Sequence, residues 1–135
     1  MTAHARISFS WNLLRYAYGI VILLAGLDKL LGTDLIVAWP KYISPFVAGL
    51  LPVNTGLFLA AMGIIEIVVA ILLLTKWPRT AAYLATLWLL LISVNLVMLG
   101  TLDIAIRDIL LAVGAIVLAQ LTSAVEDLNL TKAIA

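Results

Sequence analysis

The sequence predicts an all-α fold, an integral membrane four-helix bundle with up-down topology, and three observations lead to that prediction. Hydrophobic residues make up 65% of the 135 positions and charged residues only 11%, whereas soluble domains contain about 25% charged residues. The apolar residues form runs close to the roughly 20 residues that a helix needs to cross a bilayer. These runs do not alternate between apolar and polar residues, as the strands of a membrane barrel would.

Four runs are predicted to span the membrane. Each is expected to be helical, because backbone polar groups in lipid must be satisfied within their own segment. Pro78 falls in the first turn of the third span, where its missing N–H does no harm, and Gly100 follows the end of that span. Short connections make the last three spans antiparallel neighbours. The predicted division of the chain is an N-terminal cytoplasmic segment, four spans and a short solvated tail, at residues 1–10, 11–31, 54–75, 78–99, 102–123 and 124–135.

The connection between the first two spans is longer than the others and has its own composition. It contains Pro40, Pro45 and Pro52, which exclude a single long helix. Trp39 and Tyr42 suit the headgroup level of a membrane. We therefore predict an interfacial, proline-broken amphipathic segment that caps the bundle, with a structureless loop as the alternative.

Composition excludes several classes of function. A formal net charge of +1 argues against nucleic acid, which calls for a clustered basic face. The absence of cysteine excludes thiolate chemistry and cysteine-ligated metals. His4, the single histidine, lies before the first span, so we expect no metal and no haem within the bundle. Lysine and arginine are more frequent on the side of the two termini, which predicts an N-in, C-in orientation.

Glu66 is isolated among apolar residues in the second predicted span. An acidic side chain near the centre of a membrane helix costs roughly 2.5–3.5 kcal/mol and marks a functional site by default. Three explanations remain open at this stage. Glu66 pairs with Arg15, it pairs with Arg107 or Lys29, or it is protonated and faces a cavity.

A second polar group is predicted near the outer ends of three spans, in one layer: Asp28, Lys29, Asn95, Asp103, Arg107 and Asp108. Asp103 and Arg107 are four residues apart and share a helix face, and we expect Arg107 to bond Asp28 or Asp103 inside the bundle. Alternatively, the acids of the fourth span favour the positive end of its helix dipole. Lys29 can instead extend towards the surface, and Asn95 can serve as a contact between helices.

Several short motifs occur along the chain in this order: Gly26-Leu27-Asp28-Lys29, Gly63-Ile64-Ile65-Glu66, Pro78-Arg79, Asn95-Leu96 and Asp103-Ile104-Ala105-Ile106-Arg107-Asp108. Together they resemble the DoxX-like family of small four-helix bacterial membrane proteins over about residues 11–123. The resemblance implies a bundle in the bacterial cytoplasmic membrane. It also implies kinship with proteins that resemble subunits of thiosulfate:quinone oxidoreductases.

Three functions are considered. The first is an accessory subunit with no intrinsic cofactor, which binds a quinone or another amphipathic small molecule at Glu66, Arg15 and the outer polar residues. Such a chain is no enzyme by itself, but it would serve a quinone-linked oxidoreductase. The second is a structural or assembly subunit of a homo-oligomer or larger membrane complex. The third, a transporter, is disfavoured because no inverted repeat or broken span is evident. A cavity open towards lipid would favour the first function over the second.

Overall fold

Residues 1–134 are described by a computed structural model, and in this range the chain forms helices and no strands. The all-α fold class is confirmed, with five α-helices where four were predicted. Four of the helices are long, and the extra one has only 6 residues. The elements in chain order are α1 (Ala3–Leu31), a 3-10 turn (Trp39–Tyr42), α2 (Pro45–Leu50), α3 (Thr55–Leu74), α4 (Pro78–Leu99) and α5 (Leu102–Ile134).

The long connection is a broken helical segment, so the structureless alternative does not hold. Pro45 occupies the first turn of α2, and the Ser44 side chain accepts a hydrogen bond from the backbone N–H of Val47 at 3.3 Å. Serine before a first-turn proline is a typical start of a helix. The helix stops at Leu50, and the approach to Pro52 disfavours further α conformation.

Two long helices extend beyond the predicted spans. α1 begins at Ala3, where the Thr2 hydroxyl accepts a hydrogen bond from the Ala5 N–H at 3.2 Å. α5 continues through residues 124–134, which were predicted to be a solvated tail. The ends of the predicted spans were placed where the sequence stops being apolar. Polar residues alone do not end a helix, however, and neither extension contains glycine or proline.

The four long helices pack side by side. α1 packs mainly against α3, and α4 packs mainly against α5. We call the end at which α1 finishes and α3 begins the loop end, and the end that holds both chain termini the termini end. Two of the four predicted spans, α3 with 20 residues and α4 with 22, are long and apolar enough to cross a membrane by length and composition.

The packing places small residues inside and large apolar residues outside. Fully buried positions include five alanines: Ala70, Ala81, Ala82, Ala115 and Ala119. Large side chains on every long helix point outwards, and Val21, Val68, Leu87 and Leu110 are each at least half exposed. Small residues at contacts allow close helix approach in membranes, and an apolar surface of this extent marks contact with lipid or protein.

A close backbone approach joins α1 and α3 at Gly26 and Gly63. A Cβ atom added to Gly63 would lie 2.5 Å from the Gly26 carbonyl oxygen and 2.9 Å from the Leu30 backbone nitrogen. Both obstacles are backbone atoms, which cannot rotate away. The same added atom would lie 3.2 Å from the Cβ of Lys29, so this crossing also brings Lys29 against α3.

The crossing predicts a large cost for Gly63→Ala. We expect a loss of about 1–3 kcal/mol or more of unfolding free energy, because overpacking against backbone forces the helices apart. Gly56→Ala is the matched control on the same helix, since its added Cβ would meet only the Asn54 side-chain oxygen, at 3.6 Å. The control should be neutral or stabilising by up to about 1 kcal/mol. Thermal unfolding in detergent measures both, and equal stability of the two variants would contradict the close crossing.

Candidate functional site

A cavity of about 660 Å³ lies at the loop end, between the long helices and the broken segment. Its size falls within the roughly 300–1,000 Å³ of ligand pockets. α3 and α4 contribute more residues to the wall than the other elements do, and every element from the 3-10 turn to α5 contributes to it. Aromatic rings are frequent in the lining: Trp39, Tyr42, Phe46, Phe58 and Trp88.

One side of the cavity is open. Leu91, Val94 and Met98 of α4 and Phe46 of α2 line the cavity, yet each of these side chains is about half exposed. Exposed fractions this high at residues that line a partly open cavity indicate that the opening lies beside them. This opening lies on the apolar flank of the molecule, so the cavity is continuous with the surface that large hydrophobic side chains cover.

The polar end of the cavity is built on an ion pair between Lys29 and Glu66. The Nζ atom of Lys29 lies 2.7 Å from both carboxylate oxygens of Glu66, and the two side chains are only 9% and 5% exposed. Trp88 of α4 donates from its Nε1 to Glu66 Oε1 at 3.0 Å. Glu66 therefore pairs with Lys29, and the expected pairing with Arg15 or Arg107 is wrong. The alternative in which Lys29 extends to the surface is wrong too.

Trp39 holds Lys29 from the other side. The Nζ atom lies 3.8 Å from the centroid of the Trp39 ring, within the range of a cation–π interaction. The indole Nε1 of Trp39 in turn donates to Asp28 Oδ2 at 2.7 Å. The contacts thus run without interruption from Asp28 through Trp39 and Lys29 to Glu66 and Trp88.

Asp28 organises the chain that follows α1. Its buried carboxylate accepts hydrogen bonds from the Thr33 hydroxyl, from the backbone N–H groups of Leu35 and Ile36 at 2.9 and 3.0 Å, and from Trp39. Several hydrogen bonds accepted by a buried carboxylate compensate for its lost hydration, and no cation is needed. Asp28 consequently fixes the position of Trp39 above Lys29.

Asn95 fastens the broken segment to α4. Its Oδ1 accepts from the Ser44 backbone N–H at 2.9 Å, and its Nδ2 donates to the Tyr42 carbonyl at 2.6 Å. Asparagine was considered as a contact between spanning helices, but here it holds a connecting segment. Ser44 is fully buried as a result, and the segment forms one wall of the cavity.

The expected outer ion network around Arg107 is not formed. Asp103 and Arg107 are both exposed on α5, and within residues 1–134 neither takes part in an ion pair. The cause is twofold. Asp28 turns towards its own loop, and the face that Asp103 shares with Arg107 points away from the bundle. Asp108, one residue further on, is half-buried and lines the cavity.

Arg15 lies away from the cavity, towards the termini end. Its guanidinium donates to the backbone carbonyls of Leu73 and Thr75, both at 2.8 Å, and stacks 4.9 Å from the Trp11 ring centroid. These carbonyls belong to the C-terminal end of α3, where a cation is favourable. Of the eight site residues predicted from the sequence, four line the cavity: Lys29, Glu66, Asn95 and Asp108.

Trp39 and Trp88 contact the charged pair and were not among the predicted site residues. Trp88 could have been found from the sequence. Tryptophan is enriched at membrane interfaces, whereas Trp88 lies at the middle of the apolar run that forms α4. An indole N–H at that depth needs an acceptor, and Glu66 is an acid near the middle of the neighbouring span α3.

The ion pair predicts a strong dependence of stability on both partners. Lys29→Met should lower the unfolding free energy by about 3–5 kcal/mol, because it leaves the Glu66 charge buried and unpaired. The double variant Lys29→Met/Glu66→Leu should recover most of that loss, since an apolar pair of similar volume replaces a buried ion pair at little cost.

The surface pair Arg79–Glu126 supplies the control for that experiment. Its atoms lie 3.5 Å apart and its side chains are about half exposed. Arg79→Met should therefore cost at most about 1 kcal/mol. Chemical or thermal unfolding in detergent gives all the values. If Lys29→Met is as mild as Arg79→Met, the Lys29–Glu66 pair does not stabilise the bundle.

Comparison with known proteins identifies one family. The model of the DoxX family matches residues 10–97, which run from the first turns of α1 to the last turn of α4 and include Lys29, Glu66 and Asn95. No curated protein and no solved structure matches the chain. Because the match covers more than half of the sequence, and its helices α3 and α4 are the two candidate spans, the chain belongs to the DoxX family.

Proposed function

We propose that the protein is a multi-pass protein of the bacterial cytoplasmic membrane in which all four long helices cross the bilayer. The candidate spans α3 and α4 support this proposal, as do the exposed large apolar residues on α1 and α5. Arg6, Lys76, Arg79 and Lys132 collect at the termini end, which supports placing that end in the cytoplasm.

Within the membrane, the protein binds an amphipathic small molecule in the cavity at the loop end, and a quinone, in its oxidised or reduced form, is the first candidate. The observation that carries this proposal is the side opening of an aromatic-lined space of about 660 Å³. A space of this kind suits a ring in the cavity and an apolar tail that leaves between Phe46 and Leu91. The protein would act as an accessory subunit, and a partner would carry out any redox reaction of the quinone.

A structural or assembly role is the second candidate, and the polar contacts favour it. Asp28, Asn95 and the Lys29–Glu66 pair each join separate elements of the fold. A subunit that only locks helices in register needs these contacts and does not need a cavity. The two functions differ in whether the cavity takes up a ligand.

Ligand uptake is tested by narrowing the opening while the polar groups stay intact. Leu91→Trp adds bulk at the rim and should weaken binding of a decyl-substituted benzoquinone at least about tenfold, the effect of losing about 1.4 kcal/mol of binding free energy. Leu87→Trp is the control, because Leu87 lies one turn away on α4 with a similar exposure of 57% against 55% and does not line the cavity.

Calorimetry on protein in lipid nanodiscs, corrected with empty nanodiscs, measures the saturable part of the binding. We expect saturable binding to the wild-type protein and to Leu87→Trp, with Leu91→Trp impaired. If no saturable binding occurs in the wild type, or if both tryptophan variants bind equally well, the cavity is not the site and the structural role gains support.

A further inference from the structure

We infer that Asp108 is the head-group contact of the cavity and that it selects a ligand whose head group donates hydrogen bonds. The chemistry is an O–H or N–H donor on an apolar tail, as in an alkylated quinol or an alkylammonium ion. This inference rests on the proposed function of the same cavity. It deepens that function by naming the contact residue and the class of head group.

The strong donors at the polar end are already engaged. Lys29 directs its ammonium group to both oxygens of Glu66 and to the ring of Trp39. The indole N–H of Trp88 donates to Glu66, and that of Trp39 donates to Asp28. A ligand that offers only acceptors would have to break one of these bonds to gain a charged or indole donor.

Asp108 is the charged group that remains available. It lines the cavity and is half-buried, and within residues 1–134 its carboxylate has no hydrogen bond and no ion pair. The charge of Lys29 also acts on Asp108, without forming an ion pair with it, and the formal charges of Lys29, Glu66 and an ionised Asp108 leave the cavity with one negative charge. An ionised carboxylate only accepts hydrogen bonds, and a partly buried one without a donor loses hydration that nothing replaces. A donor on the ligand supplies the missing partner.

The neutral polar groups of the wall oppose this selection only through weaker hydrogen bonds. The Tyr42 hydroxyl can donate as well as accept. Asn95 uses its oxygen and one amide hydrogen to hold the broken segment. Hydrogen bonds to an ionised group are roughly twice as strong as those between neutral groups, so the carboxylate dominates the choice of head group.

The aromatic wall fits the same ligand class. Aromatic rings stack on one another in offset or edge-to-face geometry, and their faces attract cations. A quinol ring or an ammonium group therefore gains from Trp88 and Phe58. An oxidised quinone has the ring but presents two carbonyl oxygens, which would meet the Asp108 carboxylate without a hydrogen between them.

The test compares a decyl-substituted benzoquinol with its own quinone, because the two share a carbon skeleton and differ by the two hydroxyl hydrogens and by the aromatic character of the quinol ring. Calorimetry under anaerobic conditions in nanodiscs measures both, with decylammonium as a third probe. We expect the wild-type protein to bind the quinol about tenfold more tightly than the quinone, as one hydrogen bond to a charged group predicts.

Variants of α5 assign the preference to Asp108. Asp108→Leu should bind quinol and quinone equally, and it should fold as well as wild type because the side chain has no protein partner to lose. Asp103→Leu is the control on the same helix, since Asp103 is exposed and does not line the cavity. The Asp103→Leu variant should keep the full preference for the quinol over the quinone. Asp108→Asn retains an acceptor without the charge, so it should weaken the binding of decylammonium more than the binding of the quinol.

The possible failures are distinguishable. If the wild-type protein binds quinone as tightly as quinol, or if Asp108→Leu keeps the preference, Asp108 does not select the head group while the cavity remains a ligand site. If none of the three probes shows saturable binding, the proposed function and the inference both fall.

Discussion

The Lys29–Glu66 ion pair is the constraint on which the loop end of the molecule depends. Two charges removed from water are stable only when they face each other at close range and their remaining hydrogen-bonding positions are satisfied. The Gly26–Gly63 crossing of α1 and α3 allows Lys29 and Glu66 to approach at close range. The rings of Trp39 and Trp88 fill the remaining positions around the pair. Close backbone packing and buried charge therefore require each other here.

The pair also ties the connecting segment to the helices. Asp28 gathers the residues after α1 and sets Trp39 against Lys29, while Asn95 holds the next part of the segment to α4. The wall of the cavity is thus fixed from two sides. A cavity with fixed walls binds at a lower entropic cost than one that must first be ordered.

Much of the fold could be predicted from the sequence because it depends on local properties. Apolar runs placed the long helices, and the three prolines placed the broken segment. Glu66 was recognisable by its isolation, but its partner was not, since Lys29 and Arg15 both reach α3 and differ in their position along α1. That choice depends on the Gly26–Gly63 crossing, which is a contact between distant parts of the chain.

The interpretation of Arg107 failed for a related reason. A spacing of four residues shows that Asp103 and Arg107 share a face, but not whether that face points inwards. One residue further on, Asp108 is rotated about 100° and reaches the cavity instead. Hydrogen bonds from indole groups to carboxylates leave no periodic pattern in a sequence, so the contact of Trp39 with Asp28 became visible only in three dimensions.

The side opening has a consequence for how occupancy is controlled. In a bilayer, a cavity with its rim on the apolar flank exchanges its contents with the membrane and not with water. Under the proposed function, a ligand would arrive by lateral diffusion in two dimensions, and its tail would not need to leave the hydrocarbon phase. Occupancy would follow the mole fraction of ligand among the lipids. A protein of this shape would sense the composition of the membrane, and a change in the volume of the aqueous phase would leave its occupancy unchanged.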